Sequence, residues 1–125
     1  MKLLLDTHVL IWYLADDPKL PSAIRDLIAN PHNQVFVSAA TVWEIAIKKA
    51  LGKLTSPDNL PEVLVMCRFD VLSITIFHAL QAGALPRLHD DPFDRMLIAQ
   101  TMLEDLTLAT RDSKIPAYGV SILTV

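Results

Sequence analysis

Leu3-Leu4-Leu5-Asp6-Thr7-His8 opens the chain with an apolar run that stops at an acidic residue. The stretch that follows, Val9–Ala15, is apolar on every side and is closed by Asp16, Asp17 and Pro18. A short apolar run feeding an all-round apolar one predicts a strand leading into a buried helix. Asp6 then stands at the carboxyl end of that first strand.

The rest of the chain repeats the alternation. Pro21-Ser22 opens a helix through about Asn30, ended by Pro31, and Val35-Phe36-Val37 is β-branched and aromatic, hence a strand. Ser38 caps a helix running to Leu51, with Gly52 at its end. Thr55–Asn59 reads as a loop, Pro61–Phe69 as a helix and Val71–Ile74 as a third strand. Thr75 caps a helix through about Ala82, broken by Gly83 and Pro86. Asp91 caps the helix Pro92–Asp105, Leu106–Ala109 is a fourth strand, and Val120–Leu123 a fifth at one edge. Strands alternating with helices imply an α/β fold, a three-layer α/β/α arrangement around a mostly parallel sheet of four to five strands. There is no internal repeat, low-complexity stretch or linker, so residues 1–125 are expected to form a single domain.

Composition narrows the class. Of 125 residues, 52% are hydrophobic and 20% charged, the balance of a folded globule. No apolar run approaches the roughly 18–20 residues that span a bilayer, and the first residues make a poor signal peptide. The single cysteine, Cys67, excludes an internal disulfide framework and suits a reducing cytoplasm; it lies in the apolar run Val63–Phe69 and is expected to be core packing. A net charge of −3 argues against a broadly basic nucleic-acid-binding surface. Without the four carboxylates discussed next, however, the remainder carries a net +1.

Those four are Asp6, Glu44, Asp94 and Asp112. Asp6 closes the first strand, Asp112 lies just beyond the fourth, Glu44 lies in the helix after the second, and Asp94 in the first turn of the helix before the fourth. Ligand clefts of open α/β sheets lie beyond the carboxyl ends of the strands, and all four can reach that end. Singly, each has an ordinary reading. Asp6 can cap the helix that starts at Thr7. Glu44 can pair with Lys48 at i,i+4 on a solvated face, although the narrow polar stripe Ser38, Thr41, Glu44, Lys48 on an otherwise apolar helix suits a cleft. Asp94, at the third helical position, can support the helix dipole. Thr110-Arg111-Asp112 can be a turn. The strength lies in the set.

Carboxylates without His or Cys partners suit hard cations such as Mg²⁺ or Mn²⁺. His8, His32, His78 and His89 show no zinc-like spacing and read as surface or packing histidines, with His8 at most touching the site's edge. Three glycines leave no phosphate-binding glycine loop, and no nucleophile elbow is present.

Leu3-Leu4-Leu5-Asp6-Thr7-His8, Ser38–Lys48 with Trp43-Glu44-Ile45, Asp91-Pro92-Phe93-Asp94-Arg95 and Leu108-Ala109-Thr110-Arg111-Asp112, in that order, resemble a PIN domain, and in particular the VapC-type toxins of type II toxin–antitoxin systems. The resemblance runs from Leu3 to Val125. It implies an Mg²⁺-dependent ribonuclease (Mn²⁺ serving as well) with acidic ligands at Asp6, Glu44, Asp94 and Asp112. It also implies an RNA substrate, a cognate antitoxin that blocks the cleft, and a homodimer in the cytoplasm. Asp90 departs from the basic residue that related toxins often carry before the Asp-Pro. A divalent ion there would activate water and stabilise the leaving 3′ oxygen, giving a 5′-phosphate product. Lys48, Arg95, Arg111 and Lys114 flank the ligands and are expected to contact phosphate, while Thr7, Ser38 and Thr110 are placed to orient ligands or water. Trp12, Tyr13 and Trp43 are expected to border an apolar groove for an antitoxin helix.

Two other classes compete. A phosphoryl-accepting receiver-like signalling domain is also a doubly wound α/β fold, but it wants an acidic pair after the first strand and an Asp after the third. Here Asp6 stands alone, and Val71–Ile74 leads into Thr75; a haloacid-type phosphatase would want a second Asp where His8 stands. A PIN-fold binding module without nuclease activity would not need all four acidic positions filled.

Overall fold

The computed structural model describes residues 1–125. Its elements are β1 (Lys2–Leu5), α1 (Thr7–Leu14), α2 (Ser22–Ala29), β2 (Gln34–Ser38), α3 (Ala39–Ala50), α4 (Leu60–Met66), β3 (Asp70–Leu72), α5 (Ile76–Ala84), α6 (Pro92–Leu103), β4 (Thr107–Thr110), a 3₁₀ turn (Ile115–Tyr118) and β5 (Ile122–Thr124). The sheet order is β3-β2-β1-β4-β5, and every neighbouring pair is parallel. The chain builds outward from β1 through β2 to β3, then crosses to β4 on the other side. The order therefore reverses between β1 and β4, the position at which such sheets open a crevice. A receiver domain places its strands 2-1-3-4-5, so the topology removes that rival.

Alternation along β1 divides the core. Leu3 and Leu5 point to one face and pack with Val9, Leu10, Ile24, Ile28, Val37, Ile45 and Leu64. Leu4 points to the other, against Leu97, Ile98, Leu108 and Ile115. Period-two side chains with helices on both faces give the expected three layers.

Several element ends shift by a few residues, the edge strand from Val120–Leu123 to Ile122–Thr124 among them, and four details differ more. Helix α5 runs through Gly83 to Ala84, and Leu85 leaves it in extended conformation (φ −58°, ψ 144°). The ring of Pro86 disfavours helical geometry at the preceding residue, so the proline and not the glycine ends the helix. The third strand is Asp70–Leu72, not Val71–Ile74, and pairs only with β2 at the sheet edge. The turn Ile115–Tyr118, in a stretch for which the sequence predicts no element, buries Ile115 completely. Helix α3 is not buried all round: Ser38, Thr41 and Glu44 are enclosed, whereas Trp43 is 62% exposed and Ile47 is also solvent-facing. Gly52, at φ +70°, follows α3 in the left-handed conformation expected of a residue ending a helix.

Candidate active site

Asp6, Glu44, Asp94 and Asp112 all line one cleft of about 440 Å³ at the carboxyl ends of β1 and β4. Asp6 is the N-cap of α1 and also a cleft residue. Its Oδ1 accepts from the Thr7 amide at 2.6 Å, and its Oδ2 accepts from the Thr110 hydroxyl at 2.6 Å. The capping and cleft readings thus hold together, one per oxygen. Glu44 Oε1 accepts from Thr7 Oγ1 at 2.6 Å, and its Oε2 pairs with Lys48 Nζ at 2.6 Å. Here too the i,i+4 pair coexists with a cleft position, and Glu44 is buried. Asp91 caps α6 through the amides of Phe93 and Asp94, which sets Asp94 at the cleft. Asp112 Oδ1 accepts from the Lys114 amide, and the Asp112 amide donates to Thr110 Oγ1 at 3.0 Å.

Crowding of like charge is the electrostatic signature. Burial first, and then the carboxylates of Asp6, Asp91 and Asp112, push the Asp94 carboxyl up to about 7, with His89 partly opposing. Burial also raises Asp6, against hydrogen bonds from Thr110 and Thr7. Asp112 goes the other way. Its partial burial is outweighed by the Lys114 amide, the hydrogen bond from His89 and the Lys114 ammonium. The Glu44 hydrogen bond holds the Lys48 ammonium above its usual range. Five carboxyl groups, Asp6, Glu44, Asp91, Asp94 and Asp112, against Lys48 and Arg111 leave the cleft short of positive charge.

His89, expected to be a packing or surface histidine, is instead a cleft residue. It is buried, and its Nε2 lies 2.8 Å from Asp112 Oδ2 and 2.9 Å from Asp94 Oδ2. These three side chains are close enough to share a metal ion. Arg95 is corrected the other way. Its guanidinium does not face the cleft but binds the carbonyls of Ala82, Leu85, Pro86 and His89 at 2.8–3.2 Å. Ser38 serves as the N-cap of α3 and bonds only the Ala40 amide, so it orients no ligand. Arg111 stands in the cleft wall over the Trp12 ring at 4.6 Å, holding the carbonyls of Val125 and Lys19. Lys114 is exposed beside Asp112, and His8 reaches the cleft edge as expected.

Trp12, Tyr13 and Trp43 do not share a groove. Trp12 lines the cleft, Trp43 lies edge-on to Phe93 on the exposed side of α3, and Tyr13 faces a different cavity. That cavity, of about 590 Å³, lies at the amino ends of β2 and β3 beside Cys67. It is larger than the cleft but gathers no cluster of acids, so the chemistry belongs to the cleft. Cys67 is half-buried against the core, and burial raises its thiol, which disfavours the reactive thiolate.

The fold is shared with solved toxin–antitoxin assemblies. VapBC2 from Rickettsia felis, crystallised with a DNA fragment from its promoter, superposes with a TM-score of 0.73 at 16% identity, over 99% of this chain and 98% of that one. DNA-bound VapBC from Salmonella typhimurium gives 0.70 at 20% identity, over 99% and 98%. FitAcB from Neisseria gonorrhoeae gives 0.64 at 22%, over 98% and 96%. No curated protein matches the chain. The family model for the PIN domain matches residues 3–120, and with that span of the sequence covered, this chain belongs to the PIN domain family.

Proposed function

We propose that this chain is a divalent-metal-dependent endoribonuclease and the VapC-type toxin of a type II toxin–antitoxin pair, acting in the cytoplasm as a single PIN domain. The observation that carries the reading is the collection of four carboxylates from four separated segments in one cleft, with Asp94 pushed up to about 7 by burial and by its neighbours' charge. Such crowding costs folding free energy unless a cation offsets it. The donors are carboxylate oxygens, which fit Mg²⁺ or Mn²⁺, and Asp6, Glu44, Asp94 and Asp112 would hold the ion. Bound there, it would act as a Lewis acid on water and phosphate and offset charge on the leaving 3′ oxygen.

The chain's own side chains do the rest. Thr7 holds Glu44, and Thr110 holds Asp6, so both carboxylates present fixed oxygens. Lys48 and Arg111 in the cleft walls are placed to receive the RNA backbone, with Lys114 at the rim. The antitoxin is assigned to the same cleft, where a basic side chain from it would meet the carboxylates.

The homodimer is assigned to α5. Its sequence, Ile76-Phe77-His78-Ala79-Leu80-Gln81-Ala82-Gly83-Ala84, holds no charged residue. Its apolar side faces out, with Ile76 70%, Phe77 71% and Leu80 67% exposed, while His78 is buried. Met102 and Leu103 of α6 extend the patch. A charge-free face offers a partner nothing but apolar complementarity, and the same face on a second copy supplies it in an isologous contact. Exposed Ala79 and Gly83 let two such helices approach closely.

The test is cleavage of defined RNAs by purified protein with Mg²⁺, with Mn²⁺ and with EDTA, beside Asp6→Asn and Asp94→Asn. Wild type should cleave only with metal, leaving 5′-phosphates, and arrest growth when expressed without its partner, while neither variant does so. Equal cleavage by wild type and both variants would overturn the assignment. A metal-binding wild type that cleaves nothing would favour the PIN-fold binding module.

A further inference from the structure

His89 is held by three polar contacts that leave one nitrogen aimed at the acids. Its amide donates to Tyr118 Oη at 2.8 Å, its carbonyl accepts from Arg95 at 3.2 Å, and its Nδ1 accepts from the Asp91 amide at 3.2 Å. An Nδ1 that accepts carries no proton, so the neutral ring bears its hydrogen on Nε2. Nε2 is the atom 2.8 Å from Asp112 and 2.9 Å from Asp94, and the geometry toward Asp112 is that of a hydrogen bond. A protonated nitrogen donates to a carboxylate and cannot coordinate a metal.

We infer that His89 is a positioning residue of the metal site, an N–H donor that fixes the carboxylates of Asp112 and Asp94, and not a ligand of the ion. The inference rests on the metal-site reading above and adds to it a residue outside the four acids. The Asp91 amide, which sets the tautomer, belongs to the N-cap of α6, the helix that carries Asp94. One capping turn thus positions an acid and selects the nitrogen that restrains it. Partners of this kind orient metal-binding groups, and removing one typically costs about 10–100-fold in metal affinity. With the imidazole kept out of the coordination shell, the site remains one of oxygen donors, which favours Mg²⁺ and Mn²⁺ over zinc.

The test is Mn²⁺ binding by the purified protein, followed by titration and by electron spin echo envelope modulation, which detects a nitrogen coordinated to Mn²⁺. Wild type should bind Mn²⁺ without a directly coordinated imidazole nitrogen. His89→Gln, which keeps an N–H donor, should bind within about threefold of wild type, and His89→Phe about 10–100-fold more weakly. A coordinated imidazole nitrogen in wild type, absent from His89→Gln, would overturn the inference in favour of a ligand. Wild-type affinity in folded His89→Phe would overturn it in favour of packing. The spectrum of the wild type needs no variant, so misfolding of His89→Phe leaves the inference open to refutation. A wild type that binds no Mn²⁺ would overturn the metal reading itself and this inference with it, whereas the other two outcomes overturn this inference alone.

Discussion

Thr110 Oγ1, at the end of β4, donates a 2.6 Å hydrogen bond to Asp6 Oδ2, at the end of β1, joining residues 104 apart in the chain. The same hydroxyl accepts from the Asp112 amide, so one buried oxygen aligns two acids across the point where the strand order reverses. Thr110→Val keeps the β-branched shape and removes both contacts. It leaves the buried Asp6 Oδ2 and the Asp112 amide each without a partner, at a cost of about 1–3 kcal/mol. Thermal unfolding in EDTA should show that loss for Val but not for Ser, and Mn²⁺ titration should show weaker binding for Val alone. Identical behaviour of the Val and Ser variants would mean that the hydroxyl aligns nothing.

Arg95 predicts a different pattern. Its planar fork gathers carbonyls from the end of α5 and the loop that carries His89, which a lysine cannot reproduce. Arg95→Lys should lower the midpoint of urea unfolding, equivalent to about 2–4 kcal/mol, with the slope unchanged. A phosphate-contacting arginine would instead give an unchanged midpoint and a raised KM for RNA.

These corrections mark where the sequence is readable and where it is not. Leu3–Leu5 followed by Asp6 announces a strand and its end because both signals are local, a short continuous apolar run and a capping acid. The capping roles of Ser38, Thr75 and Asp91 are legible for the same reason. Nearness in sequence to a cleft acid does not carry Arg95 or Trp43 into the cleft. Successive helical side chains point roughly 100° apart, so a residue beside a cleft-facing acid looks elsewhere. If Asp94 and Glu44 face the cleft, Arg95 and Trp43 do not; that signal was present. His89 is harder to see, because no periodicity governs a loop residue whose partners stand 5 and 23 positions away. Its one local mark is its place two residues before the N-cap of the helix that carries Asp94, which puts it at that helix's amino end. The charge-free exposed face of α5 is invisible to periodicity alone, since the pattern does not say which side is covered.

The α5 face yields a prediction on assembly. Phe77→Glu or Leu80→Glu places a charge where two copies are expected to meet, and either should convert a dimer to a monomer in sedimentation equilibrium with little loss of melting temperature beyond that of dissociation. Because both side chains are exposed and remote from the acid network, Mn²⁺ binding per chain should persist. A wild type that is monomeric alone but binds antitoxin through this face would reassign the patch to that partner.

Asp94 provides the pH-dependent test. Its carboxyl is pushed up to about 7 in the folded protein, first by burial and then by Asp6, Asp91 and Asp112, against about 3.9 in an unfolded chain. Between those values the native state holds a proton that the unfolded state has released, so stability falls as pH rises from about 4 to 7 and levels off above. Asp94→Asn removes that titration. In EDTA the variant should exceed wild type by less near pH 5 than near pH 7.5, where the difference is equivalent to roughly 0.5–2 kcal/mol. Mn²⁺ should reverse the order at pH 7.5, because the cation stabilises only the protein that keeps the ligand. A simple helix-supporting acid predicts the opposite sign in EDTA, since Asn would forfeit a dipole contact worth about 0.3–1 kcal/mol at every pH above 4. Melting curves of the two proteins at pH 5 and 7.5, with EDTA and with Mn²⁺, separate the cases. An Asn variant less stable than wild type in EDTA at pH 7.5, with an undiminished response to Mn²⁺, would make Asp94 a part of the α6 cap and no ligand.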